Sequence, residues 1–513
     1  MTALLVQSGE MGSSDTRMRL QNTHSFWTIE PPVRPEDYPD FGLIGRSGTI
    51  HGWYGIGQSI LMLPFDIVGT YLVRVSIFAS LDGHDPSVRD MVVSYSCNTL
   101  VCVLSVLVCF RLLRGLEFTI NQALAGALGL LFGTTFLHYT QNMMENNLIV
   151  LLDLTGFCYQ YEWLRSDRTR ALLIGSVALG ANLLVRLTTG MDIIACGLFL
   201  LLIAGMEGVR RGELRQRLAS FTRIGLPIYV FFFAMDRLYQ WYRYGSIFTT
   251  YMGIFAQQMR ASDPGLPGNF PWTTSWREGI LGPLITPEKS IFLFDPLMIV
   301  TLLLGLLLWK QMRSQTKAWV LATGLLVGGY ILFYARYFDW SGDFAWGDRF
   351  VAMPVELLAV MAIPLLLRYR AVLRTVVWRT AWGIAAASIV VQLTSVVFWH
   401  PLEVYQVMTR GHPTFVVGLR FKNIIADILG KYEQWGLTND WMWKDQWQRF
   451  HSTTPYFMPF MLWRDRSVQP GTALALIAAW FLLLVALIGA LLLVRSKARR
   501  KDFIQGSSGY VLS

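Results

Sequence analysis

Charge is scarce in this sequence. Asp, Glu, Lys and Arg make up 15% of its 513 residues, where an ordinary soluble domain carries roughly 25%. A chain of this length folding in water needs far more polar surface, so a soluble enzyme and a disordered tail protein are both excluded. Cysteine is sparse too. Cys97, Cys102, Cys109, Cys158 and Cys196 all lie in apolar stretches, are odd in number and form no Cys-x-x-Cys pair. That argues against a disulfide framework or a zinc site and leaves small buried apolar residues. The seven histidines are scattered. GxxxxGK[ST], GxSxG, HExxH and GxGxxG are all missing, so no phosphate loop, nucleophile elbow, metalloprotease helix or dinucleotide fingerprint is present.

What the chain has is apolar length. It is 53% hydrophobic and 14% aromatic, with a mean hydropathy of +0.40. Apolar runs of spanning length recur along it, which predicts an all-α polytopic membrane protein. Eleven candidate spans are read: 91–110, 118–137, 147–164, 171–189, 191–206, 224–241, 290–309, 318–334, 350–367, 381–399 and 471–495.

The net charge of +10 carries no implication of nucleic-acid binding; what matters is where the cations sit. They gather at every second connection: Arg111 and Arg114; Arg165 to Arg170; Arg210 to Arg223; Lys310 to Lys317; Arg368 to Arg379; Arg495 to Lys501. The alternate connections are poor in them, and 138–146 has none. Positive residues stay on the cytoplasmic side. The C-terminus is then cytoplasmic, and 1–90, 138–146, 242–289, 335–349 and 400–470 lie outside.

Four regions follow: an outer-face first loop with juxtamembrane helices, 1–90; a helix bundle, 91–399, with outer loops at 138–146, 242–289 and 335–349; an aromatic-rich outer loop, 400–470; and a last span with a basic tail, 471–513. Residues 1–58 contain no signal-peptide core. Segment 59–79 is apolar but holds Pro64, Asp66 and Arg74. Two arrangements satisfy the count. In the preferred one, 59–79 lies at the outer interface and a first span precedes Met1. In the other, 59–79 spans and the N-terminus is cytoplasmic.

Four outer-face features carry charge that needs a reason: Asp15 after Ser14, Glu145 before the span 147–164, Arg186 near the end of 171–189, and the loop from Asp339 to Arg349. Each also has an ordinary role, as an N-cap, a carboxylate at a helix N-terminus, a snorkelling cation or a turn-rich connector. The tryptophans of 400–470 fit an interfacial belt. Ionisable residues near membrane depth are nevertheless functional candidates, and these share one side. A carboxylate takes a proton from an acceptor hydroxyl or holds a divalent ion. Arginine grips phosphate with two parallel bonds. The combination suits group transfer from a lipid phosphate carrier.

The stretch from Gly45-Arg46-Ser47 through Tyr54-Gly55-Ile56-Gly57-Gln58-Ser59 to Leu63-Pro64 resembles G-R-x-Y-S-x-Y-P-P-G-Q-S-L-L-A-L-P of bacterial GT-C glycosyltransferases. These are integral membrane enzymes using polyprenyl-phosphate sugars, relatives of the protein mannosyltransferases and aminoarabinose transferases. Leu284-Ile285-Thr286-Pro287-Glu288-Lys289-Ser290 resembles their L-x-S-P-x-K-G. Trp340-Ser341-Gly342-Asp343 with Trp346-Gly347-Asp348-Arg349-Phe350 resembles W-x-G-G-x-x-W-G-P-R-Y. Gly55-Ile56 stands in place of Pro-Pro, Ser290 in place of Gly and Asp348 in place of Pro. The likeness runs from about Ser14 to Pro364.

The resemblance implies a GT-C-like helix bundle with outer-face juxtamembrane helices and loops, in the inner (plasma) membrane, with its site facing the extracytoplasmic side. It implies Asp15 as general base, with Glu36 and Asp40 as weaker candidates, and Glu145 as its partner. Asp15 and Glu145 are also the pair that would share a divalent metal ion. Arg349, Arg186, Lys289 and Arg46 would hold donor phosphate, and Tyr54, Gln58 and Trp346 would line the pocket. The partners expected are a polyprenyl-phosphate sugar donor, an outer-face acceptor and the bilayer. The rivals are a lipid-linked-sugar flippase, which calls for repeats and helices broken at the midplane, and a non-catalytic scaffold, in which Asp15 and Glu145 do not converge.

Overall fold

A computed structural model describes residues 1–75, 78, 86–342, 345–399, 402–403, 406–407, 414–430, 455–464 and 468–508. In chain order the helices that matter are α1 (Ser14–His24), α2 (Ile56–Leu72), α3 (Val88–Gly115), α4 (Ile120–Gly133), α5 (Phe136–Gln141), α6 (Asn146–Ser166), α7 (Thr169–Leu183), α8 (Gly190–Met206), α9 (Arg211–Tyr244) and α10 (Tyr251–Ser262). They continue as α11 (Trp276–Ile285), α12 (Leu297–Leu308), α13 (Ser314–Tyr334), α14 (Ala352–Ala359), α15 (Ala362–Arg368), α16 (Thr375–Ser395), α17 (Val416–Leu429), α18 (Met458–Arg464) and α19 (Pro470–Ser508). The strands among the described residues are β1 (Leu43–Ile44) and β2 (Ile50–His51), an antiparallel pair with Leu43 opposite His51.

Among the described residues six helices are long and apolar enough to cross a membrane: Val88–Gly115, Leu187–Met206, Arg211–Tyr244, Ser314–Tyr334, Thr375–Ser395 and Pro470–Val494. The chain is an all-α membrane protein. All eleven predicted segments are helical in their greater part, but three are interrupted in mid-segment. The run 118–137 breaks where Thr134 turns extended (φ −133°, ψ 167°). The run 290–309 breaks before Pro296, and 350–367 breaks at Val360–Met361. The last break has a steric cause: the ring of Pro364 cannot pass the carbonyl four residues earlier, that of Val360. Apolar composition reports burial and says little about helix continuity; Pro296 and Pro364 are the local signals of two of these breaks, and a reading by apolar length alone passes over them.

α6 is the centre of the bundle and is buried along most of its length. α9 and α19 are peripheral: 11% and none of their apolar windows are buried by protein. Leu226, Val230, Phe231 and Leu238 of α9 face outward accordingly. In lipid there is little hydrophobic drive between helices, so close packing of small residues and interhelical hydrogen bonds carry the association. Gly126 serves this way: a Cβ there would lie 2.5 Å from Leu113 of α3 and 2.6 Å from Pro364 of α15.

Several of the basic connections meet: the ends of α3, α6 and α8 and the start of α13 share ion pairs. Arg111 pairs with Glu162 at 2.6 Å and Arg165 with Glu207 at 2.7 Å. Glu117 receives Arg313 and lies 3.7 Å from Arg165. Segment 59–79 is represented by α2, which is 17 residues long, contains Pro64 and packs against α1 and α3. Its buried Asp66 accepts hydrogen bonds from Trp27 Nε1 at 2.8 Å and His24 Nδ1 at 3.0 Å.

Of the tryptophans in 400–470, Trp435, Trp441, Trp443 and Trp447 lie outside the described residues, as do Asp343 and Phe344 of the Asp339–Arg349 loop. Trp463 is on α18 and exposed.

Candidate functional site

α1 is capped by Ser13, whose hydroxyl accepts the Thr16 N–H at 3.2 Å. Asp15 is therefore not the cap. It occupies the first turn, and Arg19 stands one turn further on, on the same face. Two hydrogen bonds to one carbonyl fix α1 and α2 against the segment before α6: Thr16 Oγ1 and Gln58 Nε2 donate to Met143 O at 3.0 and 2.7 Å. Gly12 makes the approach feasible. It has φ +77°, and a Cβ would stand 2.5 Å from Asn142 Oδ1.

These anchors bring Glu145 to α1. Its side chain leaves its own helix uncapped and lies 2.6 Å from Arg19 Nη2 with one oxygen, while Arg186 Nη2 donates to the other. Arg349 is delivered by the loop before α14. Asn146 Nδ2 holds its carbonyl at 2.7 Å, and its Nη1 donates to Asp15 Oδ2 at 2.5 Å. The Tyr54 hydroxyl donates to Asp15 Oδ1 at 2.8 Å, and the Arg19 guanidinium lies 4.3 Å from the Tyr54 ring centre. Arg243 holds the Tyr54 backbone by its carbonyl at 2.9 Å.

The result is one cluster of three guanidinium groups against two carboxylates. Its inner part is closed, with the Arg19 and Glu145 side chains 6% and 7% exposed. Its outer part, Arg349 and Asp15, is 18% and 19% exposed. That pair is the more accessible part of the cluster. Phe350 forms a wall, 5.2 and 5.6 Å from the guanidinium carbons of Arg349 and Arg186 and stacked on Tyr334 at 4.4 Å.

Burial pushes the Asp15 carboxyl up. Arg349, then Arg19, and the Tyr54 hydrogen bond outweigh both burial and the nearby Glu145, so its pKa lies below the ordinary value. Burial likewise opposes Arg19, Arg186 and Arg349 at Glu145, and the arginines hold that carboxyl far below its usual range. Both are anions at neutral pH. Each faces guanidinium groups rather than an open position for a cation, and no group of three or more His, Cys, Asp or Glu with metal-site geometry occurs among the described residues. A carboxylate so paired is a weak base until its arginine is taken away.

The remaining candidates fall elsewhere. Lys289 is buried and donates to Ala345 O at 2.8 Å and Gly347 O at 3.2 Å, ordering the loop that carries Arg349. Arg46, in the β1–β2 turn, is exposed and stacks on Trp241 at 5.0 Å. Trp346 is buried, stacked on His138 at 5.8 Å and edge-on to Phe294 at 5.0 Å. Gln58 supports the Met143 segment rather than lining an opening. Glu36 and Asp40 are exposed.

Sequence reasoning missed Arg19, whose signal was its spacing of four from Asp15 on a helix. It missed Tyr251, which lies in electrostatic reach of Arg186, Glu145 and Arg349 and whose pKa burial pushes up to about 12. It also missed Asp348, which accepts the Phe350 N–H at 3.0 Å and is pushed by burial up to about 7 against the pull of Lys289.

Compared with known proteins, the chain matches no protein-family model, and no curated protein matches it significantly.

Proposed function

We propose that this is an integral membrane glycosyltransferase of the GT-C type, moving a sugar from a polyprenyl-phosphate donor to an outer-face acceptor. The observation that carries the reading is the Asp15–Arg349 pair, backed by Tyr54, at the accessible edge of an arginine-rich cluster. One positive charge is in excess there, and the reachable guanidinium is the one facing the reachable carboxylate.

In this reading the donor phosphate takes the place of Asp15 on Arg349, with Arg19 and Arg186 behind. Loss of its guanidinium partner raises the proton affinity of Asp15. The bond between the anomeric carbon and the phosphate oxygen breaks, and the electron pair leaves with the phosphate. The acceptor oxygen bonds to the anomeric carbon through an oxocarbenium-like transition state, and its proton passes to Asp15. Arg349 neutralises the leaving phosphate as its charge grows, the kind of electrostatic contribution that is often largest. Glu145 holds Arg19 and Arg186 in place. The site faces the extracytoplasmic side of the inner membrane, opposite the basic connections.

A lipid-linked-sugar flippase is the second reading, favoured by the three interrupted helices, a feature of transporter binding sites. A scaffold is disfavoured because Asp15 and Glu145 share the neighbourhood of Arg19 and Arg349. The test is a panel of polyprenyl-phosphate sugars given to membranes of an expressing strain. The glycosyltransferase consumes one donor, releasing polyprenyl phosphate; a flippase relocates the donor uncleaved.

A further inference from the structure

Two of the helix breaks meet at a second polar centre, inside the bundle and apart from the arginine cluster. Thr135 stands between α4 and α5, Asp295 just before α12, and Glu356 on α14. They are 1%, 2% and 0% exposed. The Thr135 N–H donates to Asp295 Oδ1 at 2.7 Å. The Thr135 hydroxyl oxygen lies 3.1 Å from Asp295 Oδ2 and 2.8 Å from Glu356 Oε1. Glu356 Oε2 is buried with no hydrogen-bond partner. Among the described residues no Lys, Arg or His reaches either carboxyl; the other titratable group facing them is Tyr139 of α5, whose hydroxyl donates to Trp346 O at 3.1 Å.

The hydrogen-bond count is decisive. A threonine hydroxyl has one proton and two lone pairs, and an ionised carboxylate only accepts. Thr135 therefore donates to one carboxyl and accepts from the other, and the one it accepts from must be an O–H acid. Asp295 receives both the N–H and the hydroxyl of Thr135, a two-point grip suited to the anion. That leaves Glu356 as the donor, in the chain Glu356 O–H to Thr135 O–H to Asp295. The bare Oε2 agrees, since the carbonyl oxygen of a neutral acid tolerates burial better than half of a carboxylate does. The direct 2.8 Å contact leaves no room for a metal ion between Oε1 and the hydroxyl.

We propose that Glu356, Thr135 and Asp295 form a buried proton-binding site, with the proton on Glu356 and Thr135 relaying it toward Asp295. The site joins α4–α5, the 294–296 break and α14, so the bound proton ties together three interrupted elements. This inference stands independently of the proposed glycosyl transfer.

A neutral acid in an apolar setting is the target of a hydrophobic carbodiimide such as dicyclohexylcarbodiimide. The Glu356 proton goes to a carbodiimide nitrogen and its oxygen bonds to the central carbon. The resulting O-acylisourea rearranges by an oxygen-to-nitrogen acyl shift to a stable N-acylurea, with no atom lost. Two measurements on the full-length protein in liposomes at neutral pH test the proposal. Infrared spectroscopy should show a protonated-carboxyl C=O band that is missing in Glu356→Gln, whose amide N–H can still donate to Thr135 and keep the fold. Peptide mass spectrometry after carbodiimide treatment should place a label on Glu356, undiminished by sodium. Identical infrared spectra for wild type and Glu356→Gln would overturn the proposal. Suppression of labelling by sodium would replace the proton with a metal cation.

Discussion

Asp15 Oδ2 lies 2.5 Å from Arg349 Nη1, although 334 positions separate the two residues. The contact joins the first turn of α1 to the loop before α14, and it occupies the group best placed to receive a phosphate. In the proposed reading Asp15 is thus both the candidate base and an internal competitor for the donor phosphate. In the proposed glycosyl transfer neither role is available while the pair is closed, and the donor phosphate must displace Asp15 from Arg349.

Arg349→Lys keeps the charge but loses the planar fork that grips phosphate and carboxylate. Transfer should fall by about 10²-fold, the order seen when one transition-state donor is removed. Donor KM should rise as well. Steady-state kinetics in membranes at matched protein level check this; unchanged kcat would show that Arg349 only tethers its loop.

Glu145→Gln leaves Arg19 and Arg186 buried without their anion. Removing one partner of a buried ion pair costs about 3–5 kcal/mol, so a clear drop in thermal stability is expected. The pH dependence follows from the depressed carboxyls. A carboxyl whose folded pKa is lowered contributes stability that is complete above its unfolded value, about 4, and is lost as pH falls through the folded value. Wild type should therefore lose stability on acidification below about pH 4, and Glu145→Gln should show a shallower acid limb. Melting curves across that range decide it.

Asp348 has the opposite sign. Its folded pKa is raised to about 7, so the folded state holds a proton the unfolded chain has released. Stability then falls as pH rises from the ordinary carboxyl value of about 4 toward the folded value. Asp348→Asn abolishes this slope. The variant should gain on wild type between acidic and mildly alkaline pH, and parallel melting curves would refute the assignment.

Topology is open to a direct check. A reporter fused after Arg500 should be active only in its cytoplasmic mode, because the basic connections retain that side. Activity in the extracytoplasmic mode would invert the orientation and put the arginine cluster inside.

Helical segments were legible in the sequence because apolar runs and alternating cations are additive, local signals. The convergence of Asp15, Glu145, Arg186 and Arg349 was anticipated from their common side. Arg19 was hidden because a helical arginine four residues from an aspartate usually makes a surface pair. Lys289 and Trp346 sit in motif positions, yet the lysine binds loop carbonyls and the tryptophan packs, roles that residue type alone does not distinguish. The Thr135–Asp295–Glu356 centre was invisible because its three residues sit singly in apolar runs, Asp295 and Glu356 lying 160 and 221 positions from Thr135.

The central claim is that Asp15 competes with donor phosphate at Arg349 and then accepts the proton of the incoming hydroxyl. Asp15→Asn removes the charge and the basicity but preserves the shape, and Ser13 still caps the helix. The direct measurement is sugar transfer and polyprenyl-phosphate binding by this variant at matched protein level. The account predicts that transfer falls by about 10²–10⁴-fold, the usual share of general-base catalysis, while polyprenyl phosphate binds more tightly than to wild type. Wild-type transfer, or weaker phosphate binding, would contradict it.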